Sequence, residues 1–95
     1  AIFGLGYVGL PLLINFSKFF KTIGYDIDKN KNIKLRRKYK KLEIVDSTNK
    51  LKNYNFFIVC VPTPLKTNNK PDLSLIKKAS KSISKILNYG SYIIY

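Results

Sequence analysis

The sequence predicts an α/β fold, a parallel sheet flanked by helices. Three observations lead there. The runs Ala1–Phe3 and Asn55–Val61 are continuously apolar, as strands buried on both faces are. Segments of helical period lie between such runs, in the alternation that builds parallel sheets. A turn with glycines at positions 4, 6 and 9 leads from the first run into the first helix.

The elements follow in order. Ala1-Ile2-Phe3 reads as the end of a buried strand that stops at Gly4. Leu10 to Phe20 is apolar on nearly every side, which predicts a helix buried all round, with Pro11 in the first turn where a missing N–H costs least. Thr22 to Asp26 reads as a second strand ending in an acid. Lys29 to Lys41 reads as a helix with a thin apolar stripe at Leu35, Tyr39 and Leu42, and Asp28 as an acid at its start. Leu42 to Asp46 alternates and predicts a third, less buried strand. Ser47 to Tyr54 is a linker or helical turn.

Asn55 to Val61 is the strongest strand pattern and is expected to be central. Pro62-Thr63-Pro64 ends it, because proline cannot continue a ladder. After a polar loop, Leu65 to Lys70, Asp72 is an N-cap candidate. Leu73, Ile76, Ala79, Ser80, Ile83, Ile86 and Leu87 then share one helix face, and Gly90 is a candidate helix stop. Ser91 to Tyr95 begins another apolar strand, in which the sequence ends. The aromatic set Phe16, Phe19, Phe20, Phe56 and Phe57 is expected in the core.

Composition narrows the function. At 95 residues and 45% hydrophobic, the chain suits one small domain. The absence of Met suggests an excerpt of a longer protein. One Cys and no His exclude a disulfide framework, a His-ligated metal, and a Ser/His or Cys/His nucleophile pair within this chain. Cys60 sits inside an apolar strand, where a free thiol acts as a small hydrophobe. The net charge is +13, and eight of the basic residues lie between Lys29 and Lys41. A nucleic-acid interface is one reading of that block. A solvated helix face fits better, because only two of the eighteen basic residues are Arg, the side chain suited to bidentate phosphate contacts. Ala1 to Ser17 is uncharged, but it is shorter than a membrane span and broken by Gly and Pro. No membrane segment is expected.

The glycine turn carries the chemistry. Gly4 permits the tight turn, Gly6 lets a pyrophosphate approach the backbone, and Gly9 lets helix and strand pack closely. The N–H groups at the helix start then face the anion. Asp26 falls about 20 residues on, at the end of the second strand, where an acid binds ribose hydroxyls. That acid favours NAD over NADP, whose 2′-phosphate it would repel.

Four segments resemble the UDP-glucose/GDP-mannose dehydrogenase family in its N-terminal NAD-binding domain. They are Gly4-Leu5-Gly6-Tyr7-Val8-Gly9-Leu10-Pro11-Leu12, Ile23-Gly24-Tyr25-Asp26-Ile27-Asp28, Val61-Pro62-Thr63-Pro64 and Pro71-Asp72-Leu73-Ser74. The wording is closest to the bacterial branch that oxidises UDP-N-acetylhexosamines. The resemblance implies a Rossmann-type parallel sheet, here truncated after about five strands, so residues 1–95 would be a single partial NAD-binding domain. It also implies an enzyme that oxidises the C6 alcohol of a nucleotide sugar to a carboxylate, reducing two NAD through a thiohemiacetal on a catalytic Cys. A cytoplasmic, homo-oligomeric whole protein comes with it.

Carried over by position, the resemblance gives the pyrophosphate to Gly4, Leu5, Gly6, Tyr7, Val8 and Gly9, and the adenosine ribose to Asp26. Lys31 matches a basic residue beside the adenosine end, and Val61, Pro62, Thr63 and Pro64 form a loop along the cofactor. Tyr7 either shapes the cleft or covers the helix start.

The sequence also departs from the family pattern. The connection Tyr39-Lys40-Lys41-Leu42 is shorter by a dozen residues or more. Asn32 precedes Ile33 where the pattern has an apolar residue first, which leaves the register of Lys31 open by one. The family's catalytic segments are missing, so no catalytic residue is assigned. Two other readings stand beside the enzyme: a non-catalytic truncated remnant that at most binds NAD, and a basic nucleic-acid-binding module.

Overall fold

The computed structural model describes residues 1–95. Five strands form one all-parallel sheet: β1 (Ile2–Phe3), β2 (Ile23–Tyr25), β3 (Glu43–Val45), β4 (Phe56–Val59) and β5 (Tyr92–Ile94). Their order across the sheet is β3-β2-β1-β4-β5. The expected α/β sheet is therefore present. The order reverses between β1 and β4, which is where open α/β sheets place their ligand crevice. The strongest apolar run, β4, has partners on both sides, and the middle strand is β1.

Strand alternation divides the core in two. Phe3, Ile23, Val45, Phe57 and Val59 point to one face, where they meet Ala79, Ile83 and Ile86. Ile2 and Ile44 point to the other, against Leu5 and Leu13. Helix α3 spans Ser74–Ser84. Leu73 takes its N-cap position, and Asp72 still satisfies the first turn by accepting from the Ser74 N–H at 2.9 Å. The helix stops before Gly90, which at φ +81° turns the chain toward β5.

Helix α1 is Gly9–Phe16 and ends four residues before its apolar pattern predicted. Only Gly9 and Leu13 of it are buried, so the expected all-round burial does not hold. The chain turns at Ser17–Phe19, and Phe19 and Phe20 are 78% and 68% exposed. Of the five aromatics expected in the core, Phe57 is fully buried and Phe16 partly so, while Phe56 is 57% exposed. The cause is positional. Helices α1 and α2 (Lys29–Lys38) cover β1 to β3 on their face of the sheet, and nothing in the chain covers Phe56, Tyr92 and Ile94 on that face beyond β1. Phe56 and Tyr92 stack on each other there, ring centroids 5.0 Å apart. A hollow of about 640 Å³ lies beside them, lined in part by Phe16, Phe20, Phe56 and Ile58.

Helix α2 spans Lys29–Lys38, and Tyr39 already leaves helical geometry. Asp28 caps it, accepting from the Lys31 N–H at 3.1 Å. The short connection closes: the Leu42 N–H reaches the Tyr39 carbonyl at 3.0 Å, and β3 pairs in register with β2. Residues 48–51 form a 3-10 turn within the expected linker. The basic residues of α2 are largely at the surface. Lys31 and Arg36 are the exceptions, both partly buried; Arg36 is held by the Ile44 carbonyl and by Asp46 at 3.0 Å.

Candidate functional site

The carboxyl ends of β1, β2 and β4 meet at the glycine turn. Gly4 stands at φ +89°, a backbone region that side chains strain. A Cβ there would lie 2.8 Å from the Cys60 carbonyl oxygen. A Cβ on Gly9 would lie 1.7 Å from the Gly4 carbonyl oxygen, so α1 starts in contact with the turn. A Cβ on Gly6 would meet nothing within 4 Å. Two of the glycines thus answer packing and conformation, and the third borders open space. No side chain caps α1 at Val8; the Leu10 N–H meets the Gly6 carbonyl at 3.1 Å and Pro11 has none, so the open N–H groups are those of Gly6, Tyr7, Val8 and Gly9. Tyr7 is fully exposed and covers nothing in this chain, which removes the helix-cover reading, and Val8 is exposed as well.

Asp26 sits just past β2 and is 7% exposed. Its Oδ2 accepts from the Leu5 N–H at 2.8 Å and pairs with the Lys31 ammonium at 3.0 Å, while Oδ1 accepts from the Asp28 N–H at 2.9 Å. The carboxylate therefore ties the glycine turn to the end of β2 and to the start of α2. Burial pushes its pKa up. The N–H groups of Asp28 and Leu5 and the Lys31 ammonium outweigh burial, and the net shift is below the ordinary carboxylate value.

The register left open in the sequence resolves here. Asn32 is the residue turned inward, fully buried, and its Nδ2 donates to the Asp26 carbonyl at 2.9 Å and to Asp46 Oδ1 at 2.8 Å. Ile33 is partly exposed. Lys31 consequently reaches Asp26.

A cleft of about 260 Å³ opens over this group. Phe3, Gly4, Asp26, Lys31, Val61 and Pro62 line it on one side, and Leu75, Lys78 and Ser82 of α3 on the other. Thr63 and Pro64 are exposed in the loop beyond, outside the lining. Cys60 is half-buried, its thiol pKa raised by that burial, which suits a packing role. The α3 residues were not singled out from the sequence, because only the crossover from β4 brings them over β2. The one signal they offered was their place on the first turns of a helix that follows the Pro62–Pro64 loop.

A parallel sheet with a glycine turn at its switch point, and an acid at the end of the neighbouring strand, defines a dinucleotide-binding domain. The residues fit such a group: open space at Gly6, uncapped N–H groups, and a cleft that runs to Asp26. A family model described as the UDP-glucose/GDP-mannose dehydrogenase family, NAD binding domain, matches residues 33–95. The chain belongs to this family, and its cofactor is NAD.

The UDP-N-acetyl-D-glucosamine 6-dehydrogenase of Salmonella typhi is 36% identical over an aligned 109 residues, covering 100% of this chain and 26% of the relative. That match includes the glycine turn, which lies before the family model's span, and it is longer than this chain, so the relative carries extra residues inside it. Among solved structures, UDP-D-ManNAc dehydrogenase from Pyrococcus horikoshii superposes with TM-score 0.83 at 31% identity, over 97% of this chain and 27% of that one. The UDP-N-acetyl-mannosamine dehydrogenase of Staphylococcus aureus gives TM-score 0.84 at 28% identity, over 97% and 27%. The chain spans about a quarter of the length of the relatives it matches. No helix of it is long and apolar enough to cross a membrane.

Proposed function

We propose that residues 1–95 are a single partial NAD-binding domain of a nucleotide-sugar 6-dehydrogenase, which oxidises the C6 alcohol of a UDP-sugar to the uronate. The sugar is a UDP-N-acetylhexosamine or UDP-glucose. The observation that carries the reading is the cleft over the β1–β4 switch point, lined by Gly4 of the glycine turn and by Asp26, which the Leu5 N–H holds to that turn. The names borne by the relatives supply the substrate class. A homo-oligomer in the cytoplasm, where nucleotide sugars and NAD are both at hand, completes the proposal.

The chain's own contribution is binding and orientation. Gly6, Tyr7, Val8 and Gly9 would present backbone N–H groups to the pyrophosphate, and the α1 dipole adds partial positive charge there. Gly4 and Leu5, whose N–H groups are held by the Tyr25 carbonyl and Asp26, would shape the turn around it. Asp26 and Lys31 would hold the adenosine ribose. Val61, Pro62, Thr63 and Pro64 would border the cofactor beyond β4. Bound NAD supplies the hydride acceptor for the alcohol. No side chain of this chain is assigned to the chemical step; Cys60, just past β4, is partly buried against the Ile2–Leu13 cluster and is left with a packing role.

The test is an assay of the intact protein with NAD and, in turn, UDP-N-acetylglucosamine, UDP-N-acetylmannosamine and UDP-glucose. The proposal expects two NADH per sugar with one of them. NADH binding without turnover of any UDP-sugar would contradict the dehydrogenase reading and leave a non-catalytic NAD-binding remnant.

A further inference from the structure

The rejection of NADP expected from Asp26 assumes a carboxylate that faces the ligand uncompensated. The geometry is different. The Asp26 side chain is only 8% exposed, and its oxygens already accept from two backbone N–H groups and the Lys31 ammonium. Lys31 is the outer member of the pair, 41% exposed, and lines the cleft. Across the cleft, α3 presents Lys78. The acids of the lining, Asp26 and Asp28, are matched by these two lysines. Of this pair, a ligand entering at the ribose end therefore meets the Lys31 ammonium before the Asp26 carboxylate.

We propose that Lys31 is a specificity-determining residue, and that the choice between a 2′-hydroxyl and a 2′-phosphate is made by the Lys31–Asp26 pair as a unit. The proposal rests on the NAD reading of this cleft and deepens it. Lys31 does two things at once. It withdraws one lone pair of Asp26 Oδ2 from the ribose hydroxyls, which costs NAD. It also cancels the charge that would repel a 2′-phosphate, which spares NADP. Removing the ammonium reverses both effects: the carboxylate becomes accessible and stands uncompensated. The size expected is that of one partly screened charge at contact distance, about tenfold in the affinity ratio.

The experiment measures NADH and NADPH dissociation constants by fluorescence for the intact protein and for Lys31→Met, Lys31→Arg and Asp26→Asn, with a thermal melt of each. Lys31→Met is expected to raise the NADH preference over NADPH about tenfold. Lys31→Arg is expected to leave the preference near that of the parent. Asp26→Asn frees the ammonium and is expected to lower the preference, a second route to the answer should Lys31→Met fail to fold. Lys31→Met weakening both cofactors by the same factor would overturn the proposal, because Lys31 would then be only a general contact. A parent that binds neither cofactor would overturn the NAD reading itself, and the proposal with it.

Discussion

The two halves of the sheet differ in how far this chain finishes them. Around β1 and β2, every contact at the carboxyl end is specified: the Gly9 backbone touches the Gly4 carbonyl, and Asp26 binds Leu5, Asp28 and Lys31. Around β4 and β5, one face packs on α3, while the other leaves Phe56 57%, Tyr92 61% and Ile94 49% exposed. A cofactor site depends on a few backbone positions near one turn, so a short stretch of chain can complete it. Covering a sheet face takes a whole element. The difference shows that site geometry and core closure are separable here, and that tolerance to substitution should follow closure.

Adjacent phenylalanines test that contrast most sharply. Phe57→Ala empties a fully buried position and is expected to cost about 3–5 kcal/mol, whereas Phe56→Ala, on the open face, should cost about 1 kcal/mol. Chemical denaturation of the two variants measures both, and equal losses would break the distinction. Next in size is Gly9→Ala. Its Cβ would fall 1.7 Å from a carbonyl oxygen, so the helix must move off the turn, at about 3 kcal/mol. The melting temperature should fall together with NADH affinity.

A smaller effect is expected in acid. Asp26 has a lowered pKa when folded, so its contribution is fully present above its unfolded value of about 4 and is lost as pH falls through the folded pKa. The parent should lose stability more steeply than Asp26→Asn below about pH 4. Parallel acid profiles would show that the carboxylate contributes nothing to holding the turn.

The regions also differ in how legible they were. The continuous apolar runs and the glycine spacing identified the sheet and the turn, because strand burial and close backbone approach restrict residue type locally. The end of helix α1 was read four residues too far on, because Phe19 and Phe20 carry apolar side chains without a partner to bury them. Asn32 was read only as a departure from the family pattern, a polar residue where an apolar one is expected, and it is buried. Its partners, the Asp26 carbonyl and Asp46, lie on two different strand ends that only the fold brings together. Lys78 and Ser82 reached the cleft by the same kind of long-range placement. Lys31 was assigned to the adenosine end through resemblance, and its pairing with Asp26 at 3.0 Å is what the structure adds.

The central claim is that the cleft over the switch point takes NAD across Gly6. The most direct test is NADH titration of the intact protein against Gly6→Ala. The added Cβ meets nothing within 4 Å, so the melting temperature should be unchanged while NADH affinity falls at least about tenfold. Equal affinity in parent and variant would contradict the claim.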